Sequence, residues 1–107
     1  MSKEIIYNKL IRDDIPEIIK NSGHEYFIHI AEKDEYIIEL IKKVSEELKE
    51  FEENPCEEEM ADILEVLDSL KNVFDLDEAK IQKIKKDKKN KRGGFEKRII
   101  LEKVIEK

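Results

Sequence analysis

Two short acidic motifs carry the chemistry this chain can offer: Glu47-x-x-Glu50 and Glu59-x-x-Asp62. Side chains three apart on a helix lie one above the other, near enough to share a cation. Four crowded carboxylates repel one another unless a cation is present. Mg²⁺ suits such a set, because it takes oxygen ligands in an octahedron and retains several waters. The ion neutralises phosphate charge and makes water more acidic, which is the chemistry of phosphoanhydride hydrolysis. A lone Glu-x-x-Glu pair in an acid-rich chain is common, so the weight falls on how the helices place the four groups.

Those helices are legible in the apolar spacing. Ile37, Leu40, Ile41, Val44, Leu48 and Phe51 form one stripe, predicting a helix over residues 34–53 with Asp34 as its N-cap. Asn54-Pro55 ends it, because the residue before proline is pushed out of helical geometry. Met60, Ile63, Leu64, Leu67, Leu70 and Phe74 form a second stripe over residues 57–74, widened by Val66 and Val73. The connection is short, so the two helices are expected to pack antiparallel. At about 100° per residue, each acidic pair falls on the flank of its own apolar stripe rather than opposite it. If those flanks adjoin, the four carboxylates converge.

The remaining elements are smaller. Residues 10–21 hold a short amphipathic segment with Pro16 in its first turn, Asp13 or Asp14 as cap, and Ser22-Gly23 as terminator. Residues 24–31 (HEYFIHIA) alternate as a strand does, and residues 96–105 read as a terminal strand that would pair with them. A further helix spans residues 75–90, nearly all charged from Lys85 on and broken at Gly93-Gly94. The expected fold is mainly α: an antiparallel helix-hairpin bundle with one or two short peripheral β-strands, in a single domain over residues 1–107.

Composition bounds the partners. Charged residues make up 45% of the 107 residues, well above the roughly 25% of an average domain. The apolar periodicity nevertheless argues against disorder. The net charge of −6 argues against nucleic acid or an anionic membrane as partner. Residues 46–65 are strongly acidic and residues 80–98 strongly basic, a pairing suited to a metal-bridged polyanion. Cys56 is the single cysteine, which excludes an intramolecular disulfide or a Cys-rich zinc site. The N-terminus has no apolar h-region and no run is long enough to span a membrane, so the chain is read as cytoplasmic.

Basic groups could grip a phosphate chain in two places. Lys9 and Arg12 bracket Leu10-Ile11, and are equally placed to pair with the surplus of surface acid. Residues 85–98 (KKDKKNKRGGFEKR) set the glycine pair Gly93-Gly94 beside Arg92, where backbone N–H groups can approach an anion and Lys and Arg side chains can grip phosphates. The bland reading is a solvated lysine-rich helix end, and no P-loop spacing is present. His24 and His29 are isolated, and Cys56 lacks an activating partner.

The order YNKLIRDDIPEII, SEELKEFEE, EEEMADILEVLDSL and KRGGFEKRIIL resembles the MazG-like, all-α nucleotide pyrophosphohydrolases, specifically a small stand-alone branch related to phosphoribosyl-ATP pyrophosphohydrolase. The resemblance covers residues 7–101. It implies Mg²⁺-dependent cleavage of a nucleoside triphosphate between the α- and β-phosphates, giving a monophosphate and pyrophosphate, in house-cleaning of non-standard nucleotides. Glu47, Glu50, Glu59 and Asp62 would be the metal ligands, and Glu46 would orient or deprotonate the attacking water. Lys9, Arg12, Lys88, Arg92, Gly93 and Gly94 would handle phosphates, and Phe95 would contact the nucleoside or pack. A homodimer or higher homo-oligomer is implied, with helices of two subunits closing the site. One departure stands out: Asp14 occupies a position where the branch commonly has Lys, which keeps open a nucleotide- and Mg²⁺-binding module without turnover. A helical oligomerisation protein with merely superficial acids is the third reading.

Overall fold

The computed structural model describes residues 3–106. Four helices follow in order: α1 (Ile15–Asn21), α2 (Lys33–Glu53), α3 (Glu57–Val73) and α4 (Glu78–Arg92). The chain divides into two compact units, Met1–Asp75 with α1 to α3 and Leu76–Lys107 with α4.

α2 and α3, joined by residues 54–56, pack against one another and hold the core of the first unit. Leu40 on α2 and Ile63 on α3 are its buried apolar side chains, and Leu40 is only 2% exposed. The face each helix buries is turned away from the centre of its apolar stripe, toward the acids. On α2 the least exposed positions are Leu40 and Glu47, while Ile41 and Leu48, toward the opposite edge of the expected stripe, are 55% and 51% exposed. On α3 Ile63 is buried but Met60 and Leu64 are exposed. Glu47 therefore lies on the packed face itself, while Glu50, Glu59 and Asp62 are half-buried. An apolar strip of Ile38, Ile41 and Leu48 on α2, and of Met60 and Leu64 on α3, remains open.

The helix ends follow local chemistry. Asp14 stands at the N-cap of α1 without a side-chain bond, and Pro16 sits in the first turn as expected. At the other end the Gly23 N–H donates to the Lys20 carbonyl and the His24 N–H to the Ile19 carbonyl, with Gly23 at φ +85°. That pair of bonds satisfies the last carbonyls through a left-handed residue, which glycine adopts without penalty. α2 starts one residue before the expected Asp34 cap: Glu32 holds the cap position and Asp34 lies in the first turn. α4 starts three residues later than the periodicity suggests, because Asp75 turns the chain at φ +53° and the Asp77 side chain caps the helix by accepting from the Lys80 N–H at 3.0 Å.

The expected strands do not form among the described residues. Residues 24–31 run without regular structure and expose Phe27 and Ile30 almost fully, as residues 96–105 expose Ile99, Ile100 and Leu101. Alternating apolarity makes a strand only where a neighbouring ladder satisfies the backbone, and an isolated two-stranded pair is marginal at best. Residues 24–31 are instead tied at single points: His29 Nε2 lies 2.9 and 3.0 Å from the two Glu35 carboxylate oxygens, and His24 Nδ1 lies 2.7 Å from the Ser22 hydroxyl. Both histidines thus have structural partners. No helix among the described residues is long and apolar enough to cross a membrane.

Candidate metal centre

α2 brings Glu46, Glu47 and Glu50 toward α3, and α3 answers with Glu59 and Asp62. One carboxylate oxygen from each of Glu47, Glu50 and Glu59 lies within 4.8 Å of the others. Glu47 is 7% exposed, an unusual position for a carboxylate. Its Oε2, and that of Glu59, are buried and accept no hydrogen bond. Buried polar atoms almost always have partners, and a buried carboxylate without one is costly. Two orphaned oxygens in one three-carboxylate cluster fit a hard divalent cation, and an all-oxygen donor set fits Mg²⁺ better than a thiophilic metal.

Asp62 stands at the edge of this cluster, its Oδ1 2.8 Å from Arg12 Nη2. Glu46 lies on the other side, with Oε1 3.0 Å from Lys9 Nζ and 3.5 Å from Lys43 Nζ. Lys43 Nζ is also 3.6 Å from Glu47 Oε1. Seven of the residues expected at the site thus come together: Lys9, Arg12, Glu46, Glu47, Glu50, Glu59 and Asp62. Lys88, Arg92, Gly93 and Gly94 belong to the second unit, where the Gly93 N–H closes α4 on the Lys89 carbonyl at 2.8 Å with φ +82°. Lys43 went unnoticed in the sequence. Its spacing of three and four before Glu46 and Glu47 is the signal that marks it.

The electrostatics separate the carboxylates into two kinds. Burial pushes Glu47 above the ordinary carboxylate range, and the Glu50 and Asp62 charges add to this while Lys43 opposes it. Glu59 is raised by loss of solvent and by the charges of Glu50, Asp62 and Glu58. Glu46 is the opposite case: burial would raise it, but the hydrogen bond from Lys9 and the charges of Lys43 and Lys9 hold it below the usual range. Lys9 is raised in turn, chiefly by its bond to Glu46.

These directions set a pH dependence. A cation requires Glu47 and Glu59 deprotonated, and both hold protons more tightly than ordinary carboxylates, so protons and metal compete. Mn²⁺ affinity measured by calorimetry is expected to fall as pH is lowered toward the ordinary carboxylate range. The decline should begin above the pH at which an unperturbed glutamate titrates, and a pH-independent affinity through that window would contradict it.

No family model, curated protein or solved structure matches the chain.

Proposed function

We propose that the protein is a Mg²⁺-dependent nucleoside triphosphate pyrophosphohydrolase, cleaving the α–β phosphoanhydride to a nucleoside monophosphate and pyrophosphate. The observation that carries this reading is the pair of orphaned buried oxygens, Glu47 Oε2 and Glu59 Oε2, inside a three-carboxylate cluster bordered by Arg12 and Lys9. The resemblance of residues 7–101 to the MazG-like superfamily supports it, as does the mainly helical fold.

Glu47, Glu50 and Glu59, with Asp62 as a fourth, would hold the Mg²⁺. The ion would supply positive charge for the phosphate chain and lower the pKa of water. Lys9 and Arg12 sit at the rim, where the guanidinium can take two phosphate oxygens and the ammonium one. Glu46 is held anionic by Lys9 and Lys43. An anion whose proton affinity is depressed is a weak base, so Glu46 serves better to accept a hydrogen bond from the attacking water and orient it than to strip its proton. The resemblance assigns phosphate-binding roles to Lys88, Arg92, Gly93 and Gly94 of the second unit as well.

The open apolar strip of Ile38, Ile41, Leu48, Met60 and Leu64 is the surface through which a second copy would pack, turning two helix pairs into an antiparallel bundle. A screen of standard and damaged nucleoside triphosphates for pyrophosphate release with Mg²⁺, run beside light scattering, tests the whole reading. Release abolished by chelation and a dimeric mass are expected. Mg²⁺-dependent nucleotide binding with no release from any substrate would favour a binding module, the alternative that Asp14 keeps open. No response to metal or nucleotide would leave a helical oligomerisation protein.

A further inference from the structure

Residues 9–12 touch both helices of the pair at once. Lys9 reaches α2 through Glu46 at 3.0 Å, and Arg12 reaches α3 through Asp62 at 2.8 Å. Asn8, at φ +46°, turns the chain just before this stretch, and the Lys9 ammonium lies 5.8 Å from the centre of the Tyr7 ring. The two cations thus neutralise the two acids on either side of the Glu47–Glu50–Glu59 cluster, while Lys43 neutralises from within α2. Asp62 is the one acid of the paired motifs drawn into an ion pair with the N-terminal segment, and it lies one helical turn from Glu59.

We propose that residues 9–12 form a charge-exchange strap: Arg12 is the counter-ion of Asp62 until a divalent cation takes that carboxylate, and Arg12 then turns to the incoming phosphate chain. The idea rests on the carboxylate cluster being a metal site. A carboxylate close to a dication gains more from it than from a half-exposed guanidinium, because attraction scales with charge and exposed ion pairs are weak. The freed guanidinium suits a polyphosphate, whose paired oxygens match its fork. Metal and polyphosphate then help one another through Arg12, and linkage makes that help reciprocal.

Mn²⁺ titrated by electron paramagnetic resonance without nucleotide, and inorganic triphosphate titrated by calorimetry with and without Mn²⁺, test the strap on the full chain. In Arg12→Gln a competing cation is gone, so Mn²⁺ should bind about fivefold tighter. Inorganic triphosphate should bind about tenfold weaker, and its dependence on Mn²⁺ should shrink. Arg12→Lys, which keeps the charge, should return Mn²⁺ affinity toward that of the wild type. Asp62→Asn acts from the other side: it releases Arg12, so metal-free protein should bind inorganic triphosphate more tightly than the wild type does. A folded Arg12→Gln protein with unchanged or weaker Mn²⁺ affinity overturns the strap alone. So does Asp62→Asn with unchanged or weaker metal-free triphosphate binding, which decides the matter if Arg12→Gln does not fold. A wild type that takes up no Mn²⁺ overturns the metal reading of the cluster, and the strap with it.

Discussion

If the carboxylate cluster holds Mg²⁺ for pyrophosphohydrolysis as proposed, Glu47→Gln is expected to fold, to withstand heat better than the wild type in chelator, and to release pyrophosphate at least about 100-fold more slowly in Mg²⁺. The three outcomes share one cause. Glu47 is the most buried of the acids, and burial with the neighbouring Glu50 charge raises its proton affinity. The folded chain thus holds that proton more tightly than the unfolded chain does. Metal-free stability therefore falls as pH rises from the ordinary carboxylate value through the raised one. A neutral amide of the same shape removes this loss. The same substitution removes an oxygen ligand whose charge a divalent cation needs. Thermal melts with chelator and with Mg²⁺ check the first two claims. The wild type should gain from Mg²⁺ and the variant should not, since only a ligand that prefers the folded state stabilises it. A variant less stable than the wild type in chelator would show that Lys43, which faces Glu47 Oε1 at 3.6 Å, offsets the burial.

The second large effect concerns the core. Leu40→Ala is expected to destabilise the protein by about 2–5 kcal/mol, the range for emptying a well-packed leucine site. Domains are stable by only about 5–15 kcal/mol in total. Here Leu40 and Ile63 are the buried apolar side chains among the described residues, so few contacts remain to share the loss. Urea unfolding followed by circular dichroism measures it, with Ile63→Val as a milder control expected at about 0.5–1.5 kcal/mol. A cost below about 1 kcal/mol for Leu40→Ala would place the stabilising contacts elsewhere, in the open strip of Ile41, Leu48 and Leu64.

The two long helices were legible because their apolar spacing runs uninterrupted and Pro55 separates them. The observed α2 and α3 depart from the expected bounds by a single residue at one end each. The rotation of their packed faces was not legible. A helical wheel weighs residues by hydropathy, and Ile41 and Leu48 outweigh Glu47 on that scale, yet Glu47 is inside and they are outside. Which side of a broad amphipathic face meets the neighbour depends on what else covers the helix, and one chain's periodicity does not record a second copy. The strands failed for a related reason. Residues 24–31 and 96–105 alternate correctly, but alternation speaks only of faces and not of a ladder partner. Three of the four carboxylates expected to converge, Glu47, Glu50 and Glu59, do so, while Asp62 pairs with Arg12 instead. That Lys9 and Arg12 could pair with surplus acid was legible, but Glu46 and Asp62 as the partners were not, because those contacts join residues far apart in sequence.

Residues 54–56 are all that separate the acids of α2 from those of α3, and this brevity bears on how the protein reaches its folded state. Contacts between near neighbours in sequence form early and fast, because little loop entropy stands against them. Docking α2 on α3 is thus an early step, and the same step drives Glu47, Glu50 and Glu59 together. Mutual repulsion among them opposes that docking step directly. Lys43, built into the same helix as Glu46 and Glu47, pairs with them at spacings of three and four, so these contacts need no long-range partner. It is the one basic group of the site positioned to ease that passage in a nascent chain that has not yet met a metal ion.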